Sequence, residues 1–464
     1  MLALGLILLP IVVGLVMIGI KSENAAASKT IGAVVAAATF AGAIAMQTGG
    51  SEISIRWLSR PFTSVLHFGA TNLSIWLVLL LTICTFSAIV AVNMPRAGAF
   101  IGQLLLLEGT MLGLFLARDL LVFALFWDLM LLPVFFTLLG WGRHHSTAWR
   151  YFIYNFAGGL ALLLATAAFG VLFGSTDVIG REGVHLVGAW VPWIFAGFAF
   201  AFLVKTPVWP LHTWMPLTYA DTPPPMVAVV SAVQSKAGLY GLIAIGLACM
   251  PDYLRDSALL LIVLGAISLL YGAFTALTQS DAKRVVAYSS LSHLGLIVIA
   301  IASFNVVALQ GALIYMIAHG LFSAALFLVL GYVESREETR SLARLGGLGA
   351  QNPRLAGALC IAALAALGLP GLAGFAGEIV ILTGVYQAGW VWGVIVALVA
   401  IVLASAYMLR LYQGIMNGPE VADLPVRPDL SWIEGIAVAP LVLALVVIGV
   451  NPHALTTFAQ GFIR

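Results

Sequence analysis

The sequence predicts an all-α polytopic membrane protein of about fourteen transmembrane helices, and three observations predict it. Hydrophobic residues fill 62% of the 464 positions and charged residues only 9%, with a mean hydropathy of +1.08. A soluble domain carries roughly 25% charged residues, and no soluble core hides this much apolar surface. The apolar residues are also gathered into runs of about 20, the length that crosses ~30 Å of hydrocarbon at 1.5 Å per residue. Two of these runs are longer than a crossing needs, and both are broken by proline and glycine.

The runs lie near residues 2–20, 30–47, 73–92, 98–117, 119–140, 151–173, 190–217, 226–249, 257–278, 285–303, 305–332, 355–385, 388–409 and 432–450. The first, MLALGLILLPIVVGLVMIGI, lacks a basic leader and a small-residue cleavage site, so it is expected to be a retained helix, not a signal peptide. An even number of crossings puts both termini on one side. With that side outside, thirteen of the 21 Lys and Arg fall in inner connections and six in outer ones. The outer six are Arg56, Arg60, Arg118, Arg181, Arg255 and Arg464; the inner set includes Lys21, Lys283, Arg284, Arg336, Arg340 and Arg427. The positive-inside rule therefore expects both termini outside a cell (inner) membrane.

Span seven (190–217) would be about 42 Å long as one helix, and span twelve (355–385) about 46 Å. The first holds Pro207 and Pro210, within LVKTPVWPLHTWMP. The second holds GLPGLAGFAGE, with Gly368, Pro370, Gly371, Gly374 and Gly377. Proline removes a backbone donor and kinks a helix, so both spans are expected to be interrupted. Lipid does not tolerate bare backbone, so each interruption must face protein or internal water. The breaks stand five spans apart. Spans four to eight and nine to thirteen are thus expected to form two five-helix repeats of inverted topology, a plan found in ion-coupled transporters. The corresponding divisions are 1–97, 98–249, 250–415 and 416–464.

Seven ionisable residues lie inside the runs: Glu108 in span four, Asp128 in span five, Lys205 before the break in span seven, Lys236 in span eight, His293 in span ten, His319 in span eleven and Glu378 after the break in span twelve. Each ion at the bilayer centre costs at least ~2.5–3.5 kcal/mol on insertion scales. The bland reading is a set of buried ion pairs locking helices together, Asp128 with Lys205 for example. Apolar replacements of such pairs are often neutral or stabilising, so stability alone does not favour them. Proton transfer does. A lysine exchanges protons near neutrality only if its ordinary pKa of ~10.4 is brought down; desolvation does this and a nearby carboxylate opposes it. Asp128 with Lys205 is a candidate switch of that kind, with Lys236 and Glu378 as downstream stations. Histidine suits a relay because it titrates nearest neutrality. His293 has hydroxyls nearby in AYSSLSH, namely Ser289, Ser290 and Ser292, which are expected to carry water. His212, late in the broken span, is read as satisfying freed backbone carbonyls or joining the relay, and His144–His145 as surface.

Other chemistries find little support. The net charge of +2 leaves no basic field for nucleic acid. Cys84, Cys249 and Cys360 form no CxxC pair, so a thiolate-held cluster or zinc site within this chain is not expected. There is no P-loop, dinucleotide fingerprint or Ser–His–Asp arrangement.

The segments FWDLMLLP, VKTPVWPLHTWMP, SKAGLYGL, SDAKRVVAYSSLSHLG, AHGLFSAALF and GLPGLAGFAGE resemble the antiporter-like subunits of respiratory complex I, over nearly the whole chain. Mrp-type Na+/H+ antiporters and membrane-bound hydrogenases share this superfamily and supply the alternative reading. L-like and N-like members usually carry lysine after the Gly-Pro break and the M type carries glutamate, so Glu378 implies the M type. The resemblance implies a proton-translocating translocase subunit driven by remote quinone reduction. Asp128 and Lys205 would form the input pair, Lys236 the connecting lysine, His293 and His319 a relay, and Glu378 the output group. Glu108 would occupy a position that is polar or acidic in many relatives. The family's span-five acid is nearly always glutamate, and Asp128 is one methylene shorter, so either the helices approach more closely or a water bridges the pair. The resemblance further implies no cofactor in this chain, flavin, iron–sulfur clusters and quinone in other subunits, and a hetero-oligomer with L-like and N-like neighbours and lipids.

Overall fold

A computed structural model describes residues 1–20, 24–49, 52–180, 188–418 and 428–456. Lys21, Arg181, Arg427 and Arg464, counted above for orientation, lie outside the described residues. Among those described, twelve helices are long and apolar enough to cross a membrane. Two further apolar segments are interrupted, at 206–214 and 367–372, where the prolines and glycines put the breaks. The protein is a helical, multi-pass membrane protein. The chain divides into two compact units, Met1–Pro207 with Val233–Leu259, and Val208–Ala232 with Leu260–Arg464.

The first unit begins with α1 (Leu2–Gly19) and α2 (Ala25–Gly49), followed by a short antiparallel hairpin, β1 (Ile53–Leu58) and β2 (Ser64–Phe68). The sequence reading has no strand here, because five or six residues of mixed polarity between long apolar runs carry little signal. Then come α3 (Asn72–Ala91), α4 (Ala97–Leu116), α5 (Leu120–Leu129), α6 (Leu131–Trp141), α7 (His145–Phe173) and α8 (Val191–Lys205). The chain leaves this unit after Pro207 and returns to it at Val233.

Helices α1 and α4 meet through small residues: a Cβ on Gly14 would lie 2.7 Å from the Gly102 carbonyl. Such close backbone approach is how helices associate where lipid supplies no hydrophobic drive. Asp119 caps α5, accepting from Leu121 N at 2.8 Å and Val122 N at 3.3 Å. The same carboxylate accepts from Ser64 Oγ at 3.1 Å and Thr176 Oγ1 at 2.8 Å, which ties the hairpin and the end of α7 to the helix start.

The second unit takes up the chain after the first break as α9 (Met215–Asp221) and α10 (Pro224–Val229), with a π-helical turn at Val230–Gln234. The span resumes in the first unit as α11 (Lys236–Gly241), a second π turn at Leu242–Leu247 and α12 (Pro251–Asp256). The remainder of the second unit is α13 (Ala258–Thr278), α14 (Ala282–Ala302), α15 (Val306–Glu337), α16 (Leu348–Gln351), α17 (Pro353–Ala366), α18 (Ala373–Gln387), α19 (Val391–Met416), α20 (Trp432–Val450) and α21 (His453–Thr456).

Asn305 caps α15 through Val307 N at 2.8 Å and Ala308 N at 3.1 Å. The start of α17 is capped from elsewhere in the chain. Asp429 accepts from Arg354 N at 2.9 Å and Leu355 N at 3.1 Å, supplying two of the donors that a helix start leaves orphaned.

Candidate functional site

In the first unit, Lys205 ends α8 in its last turn, 1% exposed. The carbonyl end of a helix carries partial negative charge, which favours a cation there. Pro207 cannot continue the helix, so the side chain sits beside an interruption. The freed backbone beyond it is met by protein: Trp209 N donates to Ser268 Oγ at 2.8 Å, within the second unit.

Asp128 lies near the end of α5 and packs so closely on Gly159 of α7 that a Cβ on the glycine would strike its Oδ1. Asp128 and Lys205 are within electrostatic reach of each other. The two make no direct hydrogen bond among the described residues. The lysine Nζ has no hydrogen-bond partner among the described residues and lies 5.0 Å from the centre of the Trp127 ring. Aspartate is one methylene shorter than glutamate, and its carboxylate packs against Gly159.

Glu108, fully buried on α4, accepts from Thr39 Oγ1 of α2 at 2.7 Å, while its Oε2 has no hydrogen-bond partner among the described residues. It does not join the Asp128–Lys205 group through any direct bond among the described residues. Lys236, also fully buried, opens α11 between the two π-helical turns. Such turns are rare and concentrate at functional positions. Its Nζ lies 3.4 Å from Ser235 Oγ and within electrostatic reach of Cys84.

In the second unit the candidate residues converge. Glu378 stands in α18 just after the interruption, 4% exposed. Gly368, at φ +78°, turns the chain so that its backbone faces the glutamate; a Cβ there would meet Oε2. Only glycine takes that φ readily and leaves the space.

Tyr315 of α15 donates its hydroxyl to Glu378 Oε1 at 2.7 Å, and the tyrosine oxygen itself lies 2.6 Å from His293 Nδ1 of α14. The His293 and His319 rings are 5.7 Å apart, both with an edge toward Phe322. Tyr407 of α19 reaches His293 Nε2 at 3.5 Å. The serines beside His293 do not hold it. Ser289 and Ser290 donate to Val286 O, and Ser292 to Leu269 O.

His212 lies in the first interruption, packed edge-on against Tyr271 at 5.1 Å, with Nδ1 unbonded. That nitrogen therefore satisfies no freed carbonyl. His144 and His145 are exposed at the start of α7, as expected.

Trp127 and Tyr315 are the residues that sequence reasoning missed. Tyr315 had a usable signal: it precedes His319 by four residues, which puts both on one face of a helix. Lys283, counted as an inner-loop charge, is instead 3% exposed and paired with Glu334 at 2.6 Å. Among the described residues no group of three or more His, Cys, Asp or Glu side chains is arranged to hold a metal ion.

Interrupted membrane helices that present polar groups are a recurring feature of ion-coupled membrane carriers. Comparison with known proteins makes the assignment specific. Residues 117–404 match the family described as NADH:quinone oxidoreductase/Mrp antiporter, TM, and the chain belongs to that family. NADH-quinone oxidoreductase subunit M of Pseudomonas aeruginosa is 34% identical over 427 residues, covering 87% of this chain and 82% of the relative. Its name is that of the branch implied by Glu378. A chain of respiratory complex I from Thermus thermophilus superposes with a TM-score of 0.89 at 29% identity, covering 100% of this chain and 99% of that one. A chain of the Mrp complex from Dietzia sp. superposes with a TM-score of 0.88 at 21% identity, covering 100% and 97%. The Mrp likeness shows the shared fold.

Proposed function

We propose that this chain is a proton-translocating membrane subunit of an NADH:quinone oxidoreductase complex, driven at a distance by quinone reduction elsewhere in that complex. The observation that carries the reading is the buried, unbonded Lys205 nitrogen at the end of an interrupted helix, with Asp128 in electrostatic reach. A permanently charged amine in that setting would cost several kcal/mol without a bonded partner. An amine that alternately holds and releases a proton, as its acid neighbour or internal water approaches, gives the cost a purpose.

In this reading Asp128 and Lys205 are the input switch and Lys236 the connecting amine. His293, His319 and Glu378 form the output relay, and Glu108 is an auxiliary acid held by Thr39. The chain itself supplies proton sites. Flavin, iron–sulfur clusters and quinone belong to partner subunits, and L-like and N-like subunits and lipids are its neighbours. Both termini lie on the outer side of the cell membrane, and spans four to eight and nine to thirteen are inverted repeats. The chain is a translocase component without a redox centre of its own.

Affinity purification of the tagged chain from its native membrane tests the assignment. Flavin absorbance, iron–sulfur signals and NADH-oxidising activity are expected to travel with it. Recovery of small antiporter subunits without redox activity would instead favour the Mrp-type reading.

A further inference from the structure

We propose that Tyr315 carries protons between His293 and Glu378. This deepens the proton-translocation reading and rests on it. The phenol oxygen is bonded on both sides, 2.6 Å from His293 Nδ1 and 2.7 Å from Glu378 Oε1. The first is short for a bond to nitrogen and the second is an ordinary O–H···O length, so both are true hydrogen bonds. A phenol hydroxyl donates one hydrogen bond and accepts others, so a neutral Tyr315 accepts from His293 Nδ1–H while donating to the glutamate. Together they make an unbroken three-residue wire. Tyr407, at 3.5 Å from His293 Nε2, makes a much weaker contact.

The packing holds this wire in place. Gly377 lies against the tyrosine's own stem: a Cβ there would come within 2.7 Å of Tyr315 Cβ and 2.9 Å of its Cα. The glycine lets α18 close on α15 at the point where the next residue, Glu378, must meet the hydroxyl. A tyrosine present only to satisfy a buried carboxylate needs one bond. The second bond, to an imidazole, is what a relay requires.

The step balances without any redox partner. When His293 is protonated, its Nδ1–H bond breaks as an O–H bond forms on Tyr315. The phenol's original proton leaves to Glu378 Oε1. Imidazolium becomes imidazole, carboxylate becomes carboxylic acid and the phenol ends neutral. The hydroxyl must then rotate about its C–O bond before the next proton passes.

The test uses the assembled, reconstituted complex and compares protons moved per quinone reduced in Tyr315→Phe and Glu378→Gln. Loss of a positioned proton-transfer group slows the transfer step by about 100-fold or more, so fewer protons moved per quinone are expected in both variants. Unchanged translocation in Tyr315→Phe beside a dead Glu378→Gln overturns the tyrosine assignment and leaves the wider reading standing. Unchanged translocation in both overturns the wider reading at this site. 3-Fluorotyrosine at position 315 keeps the hydroxyl and the packing but makes the phenol more acidic, which covers the case where Tyr315→Phe fails to assemble. A displaced pH–rate profile is expected for it. A profile superimposable on the native one overturns the proposal, because a structural tyrosine would leave the profile unmoved.

Discussion

The Lys205 nitrogen faces the Trp127 ring, 5.0 Å from its centre, and makes no bond to Asp128, the neighbouring residue on α5. The two adjacent side chains thus offer one amine two holders: an aromatic face already engaged and a carboxylate within electrostatic reach. Cation–π contacts are worth about 0.5–2 kcal/mol depending on desolvation. Trp127→Leu is therefore expected to slow proton translocation several-fold, and Trp127→Phe, which keeps a ring, to slow it less. Reconstituted complexes with a pH-sensitive dye measure this. Equal rates in both variants and the native complex would remove the ring from the account.

Asp128 packs on Gly159 and makes no bond to the lysine among the described residues. Asp128→Glu adds the missing methylene and is expected to retain translocation, whereas Asp128→Asn is expected to lose at least about 10-fold of it. Gly159→Ala puts a methyl group where Oδ1 now sits and is expected to resemble Asp128→Asn in rate while the complex still assembles. A dead Asp128→Glu beside an active Asp128→Asn would show that this acid is not the partner of Lys205.

Gly377 sets the spacing of α15 and α18. Overpacking a close interface costs about 1–3 kcal/mol, so Gly377→Ala is expected to lower the thermal midpoint of the complex and to weaken translocation together. Differential scanning fluorimetry and the dye assay on one preparation check this. An alanine variant with native stability and rate would show that the contact has slack.

Asp429 lies outside the membrane-spanning helices, where burial alone would raise its pKa. Backbone N–H groups of Arg354, Leu430 and Leu355 and the Arg354 charge instead hold it below the usual carboxylate value. A group with a lowered native pKa contributes stability that is fully present above its unfolded value and is lost as pH falls through the native one. Removing a helix cap costs about 1 kcal/mol. Asp429→Ala is thus expected to lower the thermal midpoint modestly at pH 6–8, with the difference from the native complex closing below about pH 4. A difference that widens on acidification would contradict this role.

Much of this architecture was legible because lipid imposes simple rules. Run length picked out the helices long and apolar enough to cross a membrane, and proline with glycine marked the breaks at 206–214 and 367–372. Charge inside an apolar run singled out Lys205, Lys236 and Glu378. What stayed hidden was whatever depends on packing between distant segments. No spacing in the sequence says that Gly377 backs Tyr315 or that Asp128 stops at Gly159. Tyrosine and tryptophan are ordinary in membrane helices, so Tyr315 and Trp127 stood out only once their neighbours were in place. Serines in α14 stand beside His293 in sequence, but a helix also offers them carbonyls one turn back, and Ser289 and Ser290 donate there. The hairpin at residues 53–68 was too short to compete with its apolar flanks.

The central claim is that a buried amine at the first interruption trades protons. Its most direct test is NADH-driven acidification by vesicles carrying the assembled complex with Lys205→Ala. The account predicts normal subunit content and a loss of proton translocation of about 100-fold or more. An assembled Lys205→Ala complex that acidifies at the native rate would contradict it.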